Sequence, residues 1–170
     1  MNLEAAKALA YSYLSRRERT TQEMRQHLLA RGVDEPLAAT VLSELAEEGY
    51  LDDQRFARLF TEDRRALSGW GSERIRRALI GRGIAPSVAE SALQADLGGQ
   101  VQADLGGQEL ERALVVLRRR FPSPPVTSRD RGRALGVLMR KGYEYEVAVD
   151  ALAEHARRRP DAIAPPPPRY

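Results

Sequence analysis

The chain has 170 residues, 42% apolar and 30% charged, with only six Tyr, three Phe and one Trp, so Leu, Ala and Val must fill the interior of a soluble protein. The absence of Cys excludes disulfide frameworks, thiol nucleophiles and Cys-ligated zinc, and two histidines, His27 and His155, are too few for a His-rich metal cage. Net charge is +3 but uneven: residues 1–53 hold six Lys and Arg against ten Asp and Glu (−4), residues 54–93 eight against four (+4), and residues 94–159 twelve against nine (+3).

The first segment, MNLEAAKALAYSYL, places Leu3, Ala6, Ala10, Tyr13 and Leu14 on one stripe and predicts a helix. It carries Glu4 and Lys7 and has no basic leader before an apolar run, so no secretory signal is read. No stretch approaches the roughly 18 apolar residues of a membrane span. The expectation is a cytoplasmic protein with no membrane partner. Thr20 with Glu23 forms a capping box that opens a second helix.

That helix begins a pattern that recurs three times. HLLARGVDEPLAATVL (27–42), ALIGRGIAPSVAESAL (78–93) and VLMRKGYEYEVAVDAL (137–152) align on Gly32, Gly83 and Gly142. Relative to the glycine, position −4 is Leu28, Leu79 or Leu138, and −3 is Leu29, Ile80 or Met139. Position −1 is basic (Arg31, Arg82, Lys141), and positions +1, +5, +9 and +10 are apolar in every copy. The unit reads as a helix whose −4 and −3 residues share the core face, a left-handed glycine cap, and a second helix opened by Asp34 with Pro36, by Pro86, or by the acidic Glu144. Self-similarity of this kind marks an array of supersecondary units.

A further helix precedes each later pair, through Phe56, Leu59, Phe60 and Leu67 in one case and Leu110, Ala113, Leu114, Leu117 and Phe121 in the other. Gly49 stops the third helix, Tyr50 and Leu51 pack the joint, and Asp52 or Asp53 caps the fourth. The fold class is therefore all-α: nine helices in an elongated, curved array of three tandem three-helix repeats. The expected boundaries are repeat 1 at 1–51, repeat 2 at 52–97, a linker at 98–108, repeat 3 at 109–157 and a disordered Pro-rich tail at 158–170. QADLGGQVQADLGGQE (94–109) writes one eight-residue unit twice. Gly32 to Gly83 spans 51 residues and Gly83 to Gly142 spans 59, a difference of eight, so the doubled stretch reads as an expansion of the joint between repeats 2 and 3. It lacks the glycine-lysine pattern and the basic residue of a phosphate loop.

Candidate sites follow from charge. Arginine outnumbers lysine 25 to 2, which favours forked contacts to phosphate and carboxylate. Arg55, Arg58, Glu62 and Arg65 form one stripe opposite the Phe56, Leu59 and Phe60 face, and Arg74, Arg76 and Arg77 lie on the solvent side of the next helix. The six arginines are the candidate surface for a polyanion or an acidic partner. Asp52 and Asp53, with no third ligand, read as caps rather than a metal or acid-base pair. Arg118, Arg119 and Arg120, like Arg157, Arg158 and Arg159, end helices and offset the dipole. Trp70, in SGWGS, reads as a lid over the core between units or an anchor for a partner. No nucleophile, metal cage or cofactor site is read, so the chain is not expected to be an enzyme.

ALAYSYLSRRERT (8–20), EEGYLDDQRFARLF (47–60) and GWGSERIRRALIGRGI (69–84) resemble the RecX family of RecA regulators. The resemblance covers about residues 5–97; the third repeat keeps only the glycine frame and the helix pattern. It implies a monomer of helical repeats that binds the RecA recombinase filament on single-stranded DNA and inhibits its ATPase, strand exchange and coprotease activities, and so a place in DNA repair, homologous recombination and the SOS response. The other reading of the residues is a sequence-tolerant DNA-binding protein of helix-turn-helix-like units. Against it, the second helices open on DEPLAA, APSVAE and EYEVAV, two of them acidic.

Overall fold

The computed structural model describes residues 2–95 and 105–157, and among these every regular element is a helix. In chain order they are α1 (Leu3–Leu14), α2 (Thr21–Ala30), α3 (Glu35–Glu47), α4 (Asp53–Ser68), α5 (Ser72–Ile80), α6 (Pro86–Ala95), α7 (Leu105–Arg120), α8 (Ser128–Lys141) and α9 (Tyr145–Arg157). α7 starts at Leu105, so the last residues of the expected linker are helical. The rest of the duplicated stretch and the Pro-rich tail lie outside the described residues. The chain divides into two compact units, one of Met1–Ser68 with Ile75–Gln100, the other of Gly69–Arg74 with Val101–Tyr170. One of the crossings between them falls in the first turn of α5.

The glycine frame has one physical cause in all three repeats. Gly32, Gly83 and Gly142 sit at φ of +80°, +83° and +86°, where a side chain is disfavoured. From that turn the N–H of Val33 donates to the Leu28 carbonyl at 3.1 Å and that of Gly32 to Leu29 at 3.0 Å. Ile84 and Gly83 repeat the pair on Leu79 and Ile80, and Tyr143 and Gly142 on Leu138 and Met139. This is the Schellman motif, whose accompanying apolar contact joins the −4 and +1 residues. Leu28, Leu79 and Leu138 are accordingly fully buried, and Val33, Ile84 and Tyr143 nearly so.

Position −3 departs from expectation. Leu29, Ile80 and Met139 are 39%, 42% and 42% exposed, because one residue round the helix turns them about 100° from the buried leucine. A further position is buried in every copy: +6 is Ala38, Ala89 and Ala148, each with no exposed surface. Ala6 and Ala10 of α1 are likewise fully buried, and the first core gathers them with Met24, Leu28, Val41 and Leu45. In the second unit Ala113, Leu114 and Leu117 of α7 meet Leu138, Tyr143, Ala148 and Ala151.

In α4 the buried face is Phe56, Ala57 and Thr61, the Thr61 hydroxyl donating to the Ala57 carbonyl at 2.8 Å. Leu67 does not join it: near the helix end it is 78% exposed.

Candidate functional site

The six candidate arginines fall on two helices and are used in different ways. On α4, Arg55 donates to the Gly49 carbonyl at 3.3 Å and lies 3.6 Å from Glu18, while Arg58 reaches Glu62 one turn on at 3.6 Å. Arg65 turns inward and donates to the Leu93 carbonyl of α6 at 3.4 Å. On α5, Arg76 grips one oxygen of Glu90 through Nε and a terminal nitrogen, at 3.2 and 3.0 Å. Arg77 is exposed, as is Arg58. Arg74 clusters with the second unit, where it donates to the Arg140 carbonyl at 3.0 Å and stacks 4.0 Å over the centroid of half-buried Trp70. Arg65 and Arg76 thus brace α6, and only part of the stripe faces outward.

Arg82, at the basic −1 position, does more than offset a dipole. Its guanidinium meets Glu23 at 3.0 Å and lies 5.2 Å from the Phe60 ring centroid, while its carbonyl accepts from the buried Thr20 hydroxyl at 2.7 Å. The repeat 2 turn therefore seats on the N-terminus of α2, so closely that a Cβ on Gly83 would stand 2.3 Å from the Cβ of Gln22. The same register recurs inside the second unit. There the N–H of Gly71, twelve residues before Gly83 as Thr20 is twelve before Gly32, donates to the Lys141 carbonyl at 2.8 Å. A Cβ on Gly142 would meet the Cβ of Arg74 at 2.3 Å. Burial, then Arg74, Arg119 and Arg120, hold the Lys141 ammonium below its usual pKa.

Two family models match this helical frame: residues 6–45 fit "RecX, first three-helix domain" and residues 52–93 fit "RecX, second three-helix domain". The regulatory protein RecX of Halorhodospira halophila (strain DSM 244 / SL1) is 35% identical over 161 residues, covering 92% of this chain and 94% of that protein. The chain belongs to the RecX family. The regulatory protein RecX of Mycobacterium sp. (strain JLS) is 31% identical over the same length, covering 92% of this chain and 87% of its own. In three dimensions this RecX-family chain resembles the crystal structure of RecX from Lactobacillus salivarius, with a TM-score of 0.74 at 20% identity over 90% of this chain and 96% of that one. That likeness carries the fold.

In this RecX-family chain the run GYLDDQRF is a joint. Asp52 caps α4, accepting from the Arg55 N–H at 2.9 Å, and Asp53 reaches back to accept from the Thr21 N–H at 2.8 Å, at the start of α2. Leu51 is buried, but Tyr50 is 53% exposed and meets Tyr11 edge-on at 5.4 Å instead of packing the joint. His155 is buried on α9, and its Nε2 lies 2.9 Å from the Phe121 carbonyl; a carbonyl only accepts, so Nε2 carries the proton. Arg118, Arg119 and Arg120 occupy the last turn of α7 and Arg157 that of α9; Arg158 and Arg159 lie outside the described residues. Among those described, no helix is long and apolar enough to cross a membrane.

Proposed function

We propose that this chain binds the RecA recombinase filament on single-stranded DNA and inhibits its ATPase, strand exchange and coprotease activities. The observation that carries the reading is the match, over 92% of the chain, to proteins named regulatory protein RecX. The chain acts as a cytoplasmic monomer, by occupancy rather than by catalysis, in recombination, DNA repair and the SOS response. Its contact set is Arg55, Arg58, Arg65, Arg74, Arg76 and Arg77. Exposed Arg58, Arg74 and Arg77 suit an outside polyanion or acidic surface, whereas Arg65 and Arg76 support the contact by holding α6.

The test is a titration of the purified chain into RecA on single-stranded DNA, following ATP hydrolysis. Inhibition is expected at stoichiometric amounts, and its absence refutes the reading. Arg58→Glu with Arg77→Glu, both exposed, is expected to weaken inhibition at least tenfold with helicity intact. Unchanged inhibition removes these arginines from the contact set.

A further inference from the structure

A second cationic site lies in the first repeat, built from residues outside that contact set. The Tyr13 ring is parallel to the His27 imidazole, with centroids 3.8 Å apart and planes 2° apart. The Arg19 guanidinium lies 3.8 Å from the same Tyr13 centroid. Two groups so close to one centroid cannot share a face, so Tyr13 is sandwiched between a guanidinium and an imidazole. Arg31 follows His27 by four residues and lies on its side of the helix, and Arg16 follows Tyr13 by three.

The charge of this cluster is uncompensated. Among the described residues, Arg16, Arg19 and Arg31 have no carboxylate within ion-pair distance, and the Arg19 Nε is buried with no acceptor. The nearby acids are engaged elsewhere: Glu18 with Arg55, Glu23 with Arg82 and Arg17, and Glu35 with Arg25. Burial, then Arg31, Arg19 and Arg16, hold the His27 pKa below its usual value, consistent with a locally positive potential. Forked guanidinium donors match phosphate oxygens, and with both Tyr13 faces covered the outer plane of the stack, imidazole or guanidinium, is the surface left to a base. An acidic peptide would use the charge but not the stack.

We propose that Arg16, Arg19 and Arg31 with the Tyr13–His27 stack form a binding site for single-stranded nucleic acid on the first repeat, occupied without any protein partner. The test uses the full chain and a fluorescent single-stranded oligonucleotide, read by anisotropy across salt concentrations. Arg16→Glu with Arg31→Glu, both exposed, is expected to weaken binding at least tenfold at an unchanged melting temperature. It should also flatten the logarithmic salt slope by about 1.4, or ~0.7 for each of two phosphates. Arg129→Glu with Arg133→Glu, an equal change of charge on exposed residues of α8, is the control. The His27 ring signals should titrate at higher pH in the complex, because a phosphate offsets the three guanidiniums. Three results overturn the proposal: no binding by the unaltered chain, an equal loss in both double variants, or displacement of the oligonucleotide by polyglutamate at lower concentration than by unlabelled strand. The last assigns the cluster to an acidic protein.

Discussion

Gly32 and Gly83 share a repeat position and a backbone conformation, with φ of +80° and +83°, yet their surroundings differ. A Cβ at Gly32 would meet nothing within 4 Å, whereas one at Gly83 would stand 2.3 Å from the Gln22 Cβ and 2.5 Å from its Cγ. The Gln22 Cβ is bonded directly to the backbone, so side-chain rotation cannot relieve that contact. Gly32→Ala therefore carries only the left-handed strain, about 1–2 kcal/mol. Gly83→Ala adds an overpacking cost of about 1–3 kcal/mol, for a sum of about 2–5 kcal/mol. With a urea slope of about 2 kcal/mol/M, the unfolding midpoint falls by roughly 0.5–1 M for Gly32→Ala and roughly 1–2.5 M for Gly83→Ala. Urea titration by far-ultraviolet circular dichroism, both variants in one buffer, makes the comparison. Equal midpoints would refute the close seating of the repeat 2 turn on α2.

The same seating has an electrostatic component. A double-mutant cycle of Arg82→Met and Glu23→Gln, where glutamine keeps the cap, is expected to give a coupling of about 0.5–1 kcal/mol that shrinks in 1 M salt; zero coupling at low salt would discard the pair. His27 supplies a pH dependence. Its folded pKa lies below the ordinary value of 6.5, so the unfolded chain binds more protons in the interval between the two, and this contribution to stability is lost as pH falls from about 6.5 through the folded value. Urea midpoints from pH 5 to 8 should thus rise more steeply with pH in the unaltered chain than in His27→Gln, and parallel profiles would count against the burial and cationic surroundings assigned to His27.

Much of the repeat was legible in the sequence because its determinants are local. The Val33 N–H reaches back to the Leu28 carbonyl across six residues, with Gly32 supplying the left-handed turn between them, so their types recur wherever the turn does. Thr20 with Glu23 and Asp34 with Leu37 act over three residues, and their caps were readable for the same reason. Positions −4 and −3 look alike as letters, and only the rotation of the helix against its core separates buried Leu79 from exposed Ile80.

The division of labour among the charges was not legible, since it depends on contacts between distant segments. Asp52 and Asp53 are adjacent carboxylates, but one caps its own helix while the other caps a helix 32 residues away. Arg76 and Arg77 both read as solvent-facing, yet the packing of α6 brings Glu90 to Arg76. Arg19, Tyr13 and His27 come from two helices and the turn between them, and become a stack only through the crossing of α1 and α2. The sequence by itself determined the helices, their caps and the threefold frame, because hydrogen bonds within a few residues and apolar periodicity set them. Tertiary structure decided which arginines remain outside and which hold the bundle together, because an ion pair forms only where packing has already brought its two ends within about 4 Å.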